Sequence, residues 1–212
     1  LTPGFWLAVS GTSRVSGILS LIAYYDSLED GLIASIPFSE GSGIKAADHS
    51  PQGYDMTLAN SPDWNSSGNF GNAITFDGLT QYGSISETPT TTNLSFSIWI
   101  KTTNTSLQNV LSGYGILWYP STSGDFRIHD GVTWRTTGVN VCDDKWHHLA
   151  LTFDGTTKDL KLYVDGVLKY SGNSSTSSNG RLTTIGVLRD GAQRFFNGSL
   201  DELRLYDRII SG

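Results

Sequence analysis

The chain has 212 residues, 20 acidic and 14 basic side chains, a formal net charge of -6, and aromatic residues at 11%. With 16% charged residues and no basic run it lacks the electrostatic footprint of a nucleic-acid binder, and no segment reaches the ~18 continuous apolar residues of a membrane span. One cysteine, Cys142, excludes an internal disulfide framework, and a chain of this length can bury a core without covalent staples.

Residues 1–30 differ in character from the remainder of the chain. Val15, Leu19 and Ile22 keep helical spacing behind Ser13 or Ser16 as a cap, yet Leu21–Gly31 also echoes Leu32–Gly41, sharing Leu-Ile-Ala and an acidic residue before glycine. The segment reads either as a helix or as a duplicated opening strand. Its apolar side chains, Phe5, Trp6, Leu7, Ile18, Leu19, Leu21 and Ile22, suit an assembly arm that docks on another protein subunit. The alternative is an arm packed on its own domain. No basic start precedes the apolar stretch, so an uncleaved signal peptide is not expected.

From Gly31 the hydrophobic period is two. The segments are GLIASIPFSEGSG (Gly31–Gly43), FGNAITFDG (Phe70–Gly78), LSFSIWIKT (Leu94–Thr102), WHHLALTFDG (Trp146–Gly155), LKLYVDG (Leu160–Gly166) and FFNGSLDELRLYDR (Phe195–Arg208). In Leu94–Lys101, Leu94, Phe96, Ile98 and Ile100 face one way and Ser95, Ser97, Trp99 and Lys101 the other, the pattern of a strand with one face on a core. His147, Leu149, Leu151 and Phe153 similarly oppose Trp146, His148, Ala150 and Thr152. Asp-Gly pairs predict tight hairpins at Asp130-Gly131 and Asp165-Gly166. Ser171–Gly180 is predicted as a surface loop. Short strands separated by turn signals, with no amphipathic helix after residue 31, predict an all-β, two-sheet antiparallel sandwich over residues 31–212, preceded by the 1–30 extension.

In this order the motifs resemble the laminin-G-like, concanavalin A-like jelly roll, of the type common in bacterial surface and phage structural proteins. The resemblance covers about residues 31–210. It implies an extracellular recognition or attachment role. It also implies calcium in many members, and the matching positions here are Glu40, Asp48, Asp77 and Asp201. Oxygen ligands of this kind suit a hard cation; the other reading is carboxylates capping neighbouring backbone amides. Asp48-His49-Ser50-Pro51-Gln52-Gly53 departs from the family's usual wording at that loop.

Catalytic chemistry finds little support in the residues. Neighbours on a strand point to opposite faces, so Asp201 and Glu202 are expected to diverge, whereas retaining glycosidases hold two carboxyls about 5 Å apart. No Glu-x-Asp-x-x-Glu pattern, nucleophile elbow or phosphate-binding glycine loop occurs. His147-His148 lacks partners at zinc spacing and reads as structural. For glycans, rings that stack on sugar faces plus groups that reach hydroxyls are required. Trp118, Tyr119, Asp125, His129, Trp134 and Arg135 are the candidate recognition patch, although sandwich cores and edges also consume aromatics. Two functions are compatible with these features, both non-enzymatic: a surface structural or virion component docked by its N-terminal arm, or a calcium-assisted carbohydrate-binding module of a secreted or cell-surface protein.

Overall fold

A computed structural model describes residues 29–86, 88–114, 117–120, 124–130, 132–175, 181–188 and 191–210. In chain order the strands are β1 (Leu32–Ile36), β2 (Lys45–Ala46), β3 (Met56–Ala59), β4 (Asp63–Asn65), β5 (Ala73–Asp77), β6 (Tyr82–Ile85), β7 (Asn93–Lys101) and β8 (Leu111–Tyr114). The second half contributes β9 (Leu117–Pro120), β10 (Asp125–His129), β11 (Trp134–Asn140), β12 (His147–Asp154), β13 (Asp159–Val164), β14 (Val167–Asn173), β15 (Arg181–Ile185) and β16 (Asn197–Tyr206). They form two sheets. The first runs β14-β13-β12-β7-β16-β5-β4, with β1 also on β16; the second runs β11-β10-β9-β8-β15-β6-β3-β2.

One continuous apolar cluster joins the inner faces, as expected for stacked sheets. Ile98, Ile100 and Leu149 from the first sheet and Phe126, Ile128 and Ile185 from the second are all fully buried. Each such side chain contributes about 1.5–3 kcal/mol relative to exposure. The Leu94–Ile100 alternation therefore lands as the sequence predicts. So does the hairpin at Asp165-Gly166, whose φ values of 51° and 76° are both left-handed; this is the two-residue turn that matches strand twist. The 171–180 prediction needs correction at its start, because β14 continues to Asn173, paired with Asp159. Residues 176–180 lie outside the described residues.

The last strand is central rather than peripheral. Along one edge β16 pairs with β7; along the other it pairs first with β5 through Asn197–Leu200 and then with β1 through Leu203–Tyr206. Between these two partners sits an irregularity. Asp201 faces Trp99 and Arg204 faces Ser97, so three steps on β16 match two on β7. That is a β-bulge, and Glu202 inside it adopts φ 51°.

Candidate functional site

The outer face of the first sheet is built by the polar half of the alternation. Ser97 and Trp99 project there from β7, and His148 of β12 stands directly across from Trp99. The bulge adds residues from the other side. In a regular strand Asp201 and Glu202 would diverge; here the extra residue turns both toward the Trp99 face. Asp201 is the register partner of Trp99, and Glu202 lines a cavity with it. The expected divergence of this pair is thus overturned, because alternation holds only where the ladder is regular.

The segment between β4 and β5 closes the site. It folds on itself through Gly68 N–H to the Gly71 carbonyl at 2.9 Å. The Phe70 N–H donates to Asp201 Oδ2 at 2.9 Å, which sets the Phe70 ring edge-on to Trp99 at 5.7 Å between centroids. The His148 ring lies 5.2 Å from Trp99 on another side. The result is a cavity of about 380 Å³ lined by Phe70, Ser97, Trp99, His148, Glu202 and Arg204. This volume falls within the range of small-ligand sites.

Its electrostatics are balanced. Arg204 Nη2 donates to Glu202 Oε2 at 3.0 Å. Burial pulls the His148 pKa below its usual value, with Asp165 opposing and Arg204 reinforcing, so the imidazole is neutral at pH 7. Asp201 is wholly buried. Burial raises its pKa against the Phe70 amide, and the Glu202 charge adds to the rise. Its Oδ1 has no hydrogen-bond partner, a costly state for a buried acceptor.

An anchor beneath the site fixes β12. Asp165, in the hairpin turn, accepts the His148 backbone N–H at 2.9 Å through Oδ1 and holds His147 Nδ1 at 2.8 Å through Oδ2. Asp143 takes the other ring nitrogen of His147 at 3.0 Å. His147 is therefore clamped between two carboxylates, and its neighbour is left for the cavity.

The sequence-predicted patch is divided by the structure. His129 and Trp134 do meet across β10 and β11, with ring centroids 4.1 Å apart. Arg135 instead pairs in register with the buried Ile128. Its guanidinium binds Asp130 Oδ2 at 3.2 Å and Ser175 Oγ at 2.6 Å, tying this hairpin to the end of β14. Asp125 lies at the far end of β10, opposite Asn140. Trp118 and Tyr119 occupy β9 positions paired with Ile128 and Arg127. The arm residues Phe5, Trp6, Leu7, Ile18, Leu19 and Ile22 lie outside the described residues.

The four carboxylates matched to calcium are engaged separately. Glu40 accepts the Ala47 N–H at 2.6 Å. Asp48 accepts the amides of Ser35, Ser50 and Tyr54 and the Ser50 hydroxyl at 2.7–2.8 Å. Asp77 Oδ1 takes the Leu79 and Thr80 amides at 2.8 and 3.0 Å. Among the described residues no three His, Cys, Asp or Glu side chains converge as a metal site. Of the four, Asp201 has a buried carboxylate oxygen, Oδ1, without a hydrogen-bond partner.

Comparison with known proteins gives the family. A laminin-G-like family model of the concanavalin A-like lectin/glucanases superfamily matches residues 76–212. The chain belongs to this family. A sequence search of the curated proteins finds no match. Among solved structures, this laminin-G-like chain is similar to domain 4 of AbnA, a GH43 extracellular arabinanase from Geobacillus stearothermophilus, in complex with arabinotriose. There the TM-score is 0.66 at 19% identity, covering 85% of this chain and 94% of that one. The binding domain of botulinum neurotoxin DC in complex with SialylT gives 0.65 at 10% identity, over 87% of this chain and 50% of that one. A mutant of Trypanosoma rangeli sialidase displaying trans-sialidase activity gives 0.63 at 14%, over 85% and 31%. The laminin-G-like chain thus spans half the toxin domain and a third of the sialidase, and at these identities the likeness carries the fold alone. Among the described residues no helix is long and apolar enough to cross a membrane.

Proposed function

We propose that the laminin-G-like domain is a non-enzymatic carbohydrate-binding module acting in adhesion outside the cell, and that the Trp99 cavity is its sugar site. The observation that carries this reading is one exposed-face tryptophan flanked by two further rings and ringed by Ser97, His148, Glu202 and Arg204. An indole face takes the C–H face of a sugar, and the polar rim reaches its hydroxyls. The arabinanase domain bound to arabinotriose supports the reading, because it is matched over nearly its whole length.

Hydrolysis fits less well. Of the two carboxylates on this face, Asp201 is wholly buried and Glu202 is held by Arg204, whereas glycosidases present both to the scissile bond. Calcium belongs to the same proposal in narrowed form, at Asp201, whose wholly buried carboxylate is not among the residues that line the cavity. The division at residue 30, a docking arm over residues 1–30 and display on a virion or other assembly rest on the sequence alone.

The test is calorimetric titration of the intact chain with arabinotriose, lactose and sialyllactose, each with and without EDTA. Saturable binding of at least one sugar is expected, and loss on chelation would assign calcium to the site. Absence of saturable heat with every sugar would remove the carbohydrate reading.

A further inference from the structure

We infer that the Trp99 cavity selects uncharged sugar rings and rejects sialic and uronic acids. The inference rests on the sugar-site reading and concerns which class of sugar that site accepts. An acidic sugar needs a cation free to pair with its carboxylate, by preference an arginine fork. Arg204 is the one cationic side chain among the lining residues, and its guanidinium is already held at 3.0 Å by Glu202. Lys101, also on the outer face of β7, pairs with Asp144 at 3.6 Å. His148 brings no charge at neutral pH, since its surroundings favour the unprotonated ring.

What remains suits hydroxyls. Glu202 and Arg204 together offer an acceptor and a donor side by side, matched to two adjacent hydroxyls of a neutral ring. Neutral His148 supplies one donor and one acceptor, and the Ser97 hydroxyl makes no hydrogen bond with the described residues. Glu202 and Arg204, two residues apart on β16, share a face, and the bulge puts that face on the Trp99 side.

The experiment compares arabinotriose and lactose with trigalacturonic acid and sialyllactose by quenching of intrinsic tryptophan fluorescence, using the full chain, Glu202→Gln and Trp99→Ala. In the wild type the neutral sugars should bind at least about 10-fold tighter than the acidic ones, with little change between about 50 and 500 mM NaCl, because no net charge is being paired. In Glu202→Gln the ratio of neutral to acidic affinity should fall several-fold as Arg204 is released. Equal or tighter binding of an acidic sugar by the wild type overturns the charge selection while leaving the sugar site standing. A ratio unmoved in a folded Glu202→Gln variant overturns the role given to the ion pair. Quenching by no sugar at all, with Trp99→Ala indistinguishable from wild type, removes both the sugar site and its selectivity.

Discussion

Two regions of this domain carry nearly the same side chains and use them differently. The cavity on the first sheet has Trp99, His148, Arg204 and Glu202; the β10–β11 hairpin on the second has Trp134, His129, Arg135 and Asp130. Each pairs a tryptophan with a histidine ring and an arginine with a carboxylate. At the hairpin the carboxylate is 3% exposed and takes the amides of Val132, Thr133 and Ser175 as well as Arg135. Those bonds hold the Asp130 pKa down at about 2, with the backbone donors outweighing burial and Arg135 adding to them. In the cavity the ion pair sits at side-chain exposures of 23% and 44% and faces open space. Residue type is therefore a poor guide to a binding site. What separates the two is whether the backbone has already consumed the polar groups.

The largest effect should come from breaking the hairpin's knot. Asp130→Ala strands three amide donors and leaves Arg135 without its carboxylate, a loss of about 3 kcal/mol. Urea unfolding should show a lowered midpoint with an unchanged slope, and sugar binding at the Trp99 cavity should survive under native conditions. If instead stability holds and sugar binding is lost, the assignment of the two regions is reversed. The next effect sharpens the same contrast from the other side. Trp99→Ala should weaken sugar binding by on the order of 30-fold, about 2 kcal/mol for a central aromatic anchor. Trp134→Ala should stay within about 2-fold. Calorimetry on both variants decides it, and an equal loss from the two would mean that the hairpin contributes to recognition.

Much of the frame is legible in the sequence. The Leu94–Ile100 alternation and the Asp165-Gly166 turn follow from period-two burial and from the left-handed φ values such a turn demands. Trp99 and His148 can also be placed on outward faces. Their meeting cannot, because it depends on β7 lying between β12 and β16, a pairing that no local pattern encodes. The bulge is hidden for a second reason: position 202 is a glutamate, so nothing in the residue type announces φ 51°. The wall from Phe70 depends on a contact with Asp201 across 131 residues of chain. The acidic candidates for calcium do carry a local signal. Asp48 and Asp77 each accept the amide two residues on, the Asx-turn habit of aspartate in loops.

The smallest predicted effect concerns the adjacent histidines His147, beneath the cavity, and His148, lining it, which should answer pH in opposite directions. Burial lowers the His147 pKa, but its bonds to Asp165 and Asp143 outweigh burial and raise it above 6.5 in the folded protein. Its contribution to stability is therefore complete below the unfolded value and lost as pH rises through the folded one. His148 is the reverse. Burial depresses its pKa, so its contribution is present above 6.5 and lost as pH falls through the folded value. The partners of His147 are 44% and 49% exposed, so solvent screening keeps the His147 effect below about 1 kcal/mol. Urea midpoints at about pH 5 and pH 8 resolve the sign. His147→Gln should lose more stability at the acid pH than at the alkaline one, and His148→Gln should shift the opposite way. Equal losses for His147→Gln at both values would mean that the clamp holds a neutral ring, and the anchor beneath the cavity would then be steric rather than ionic.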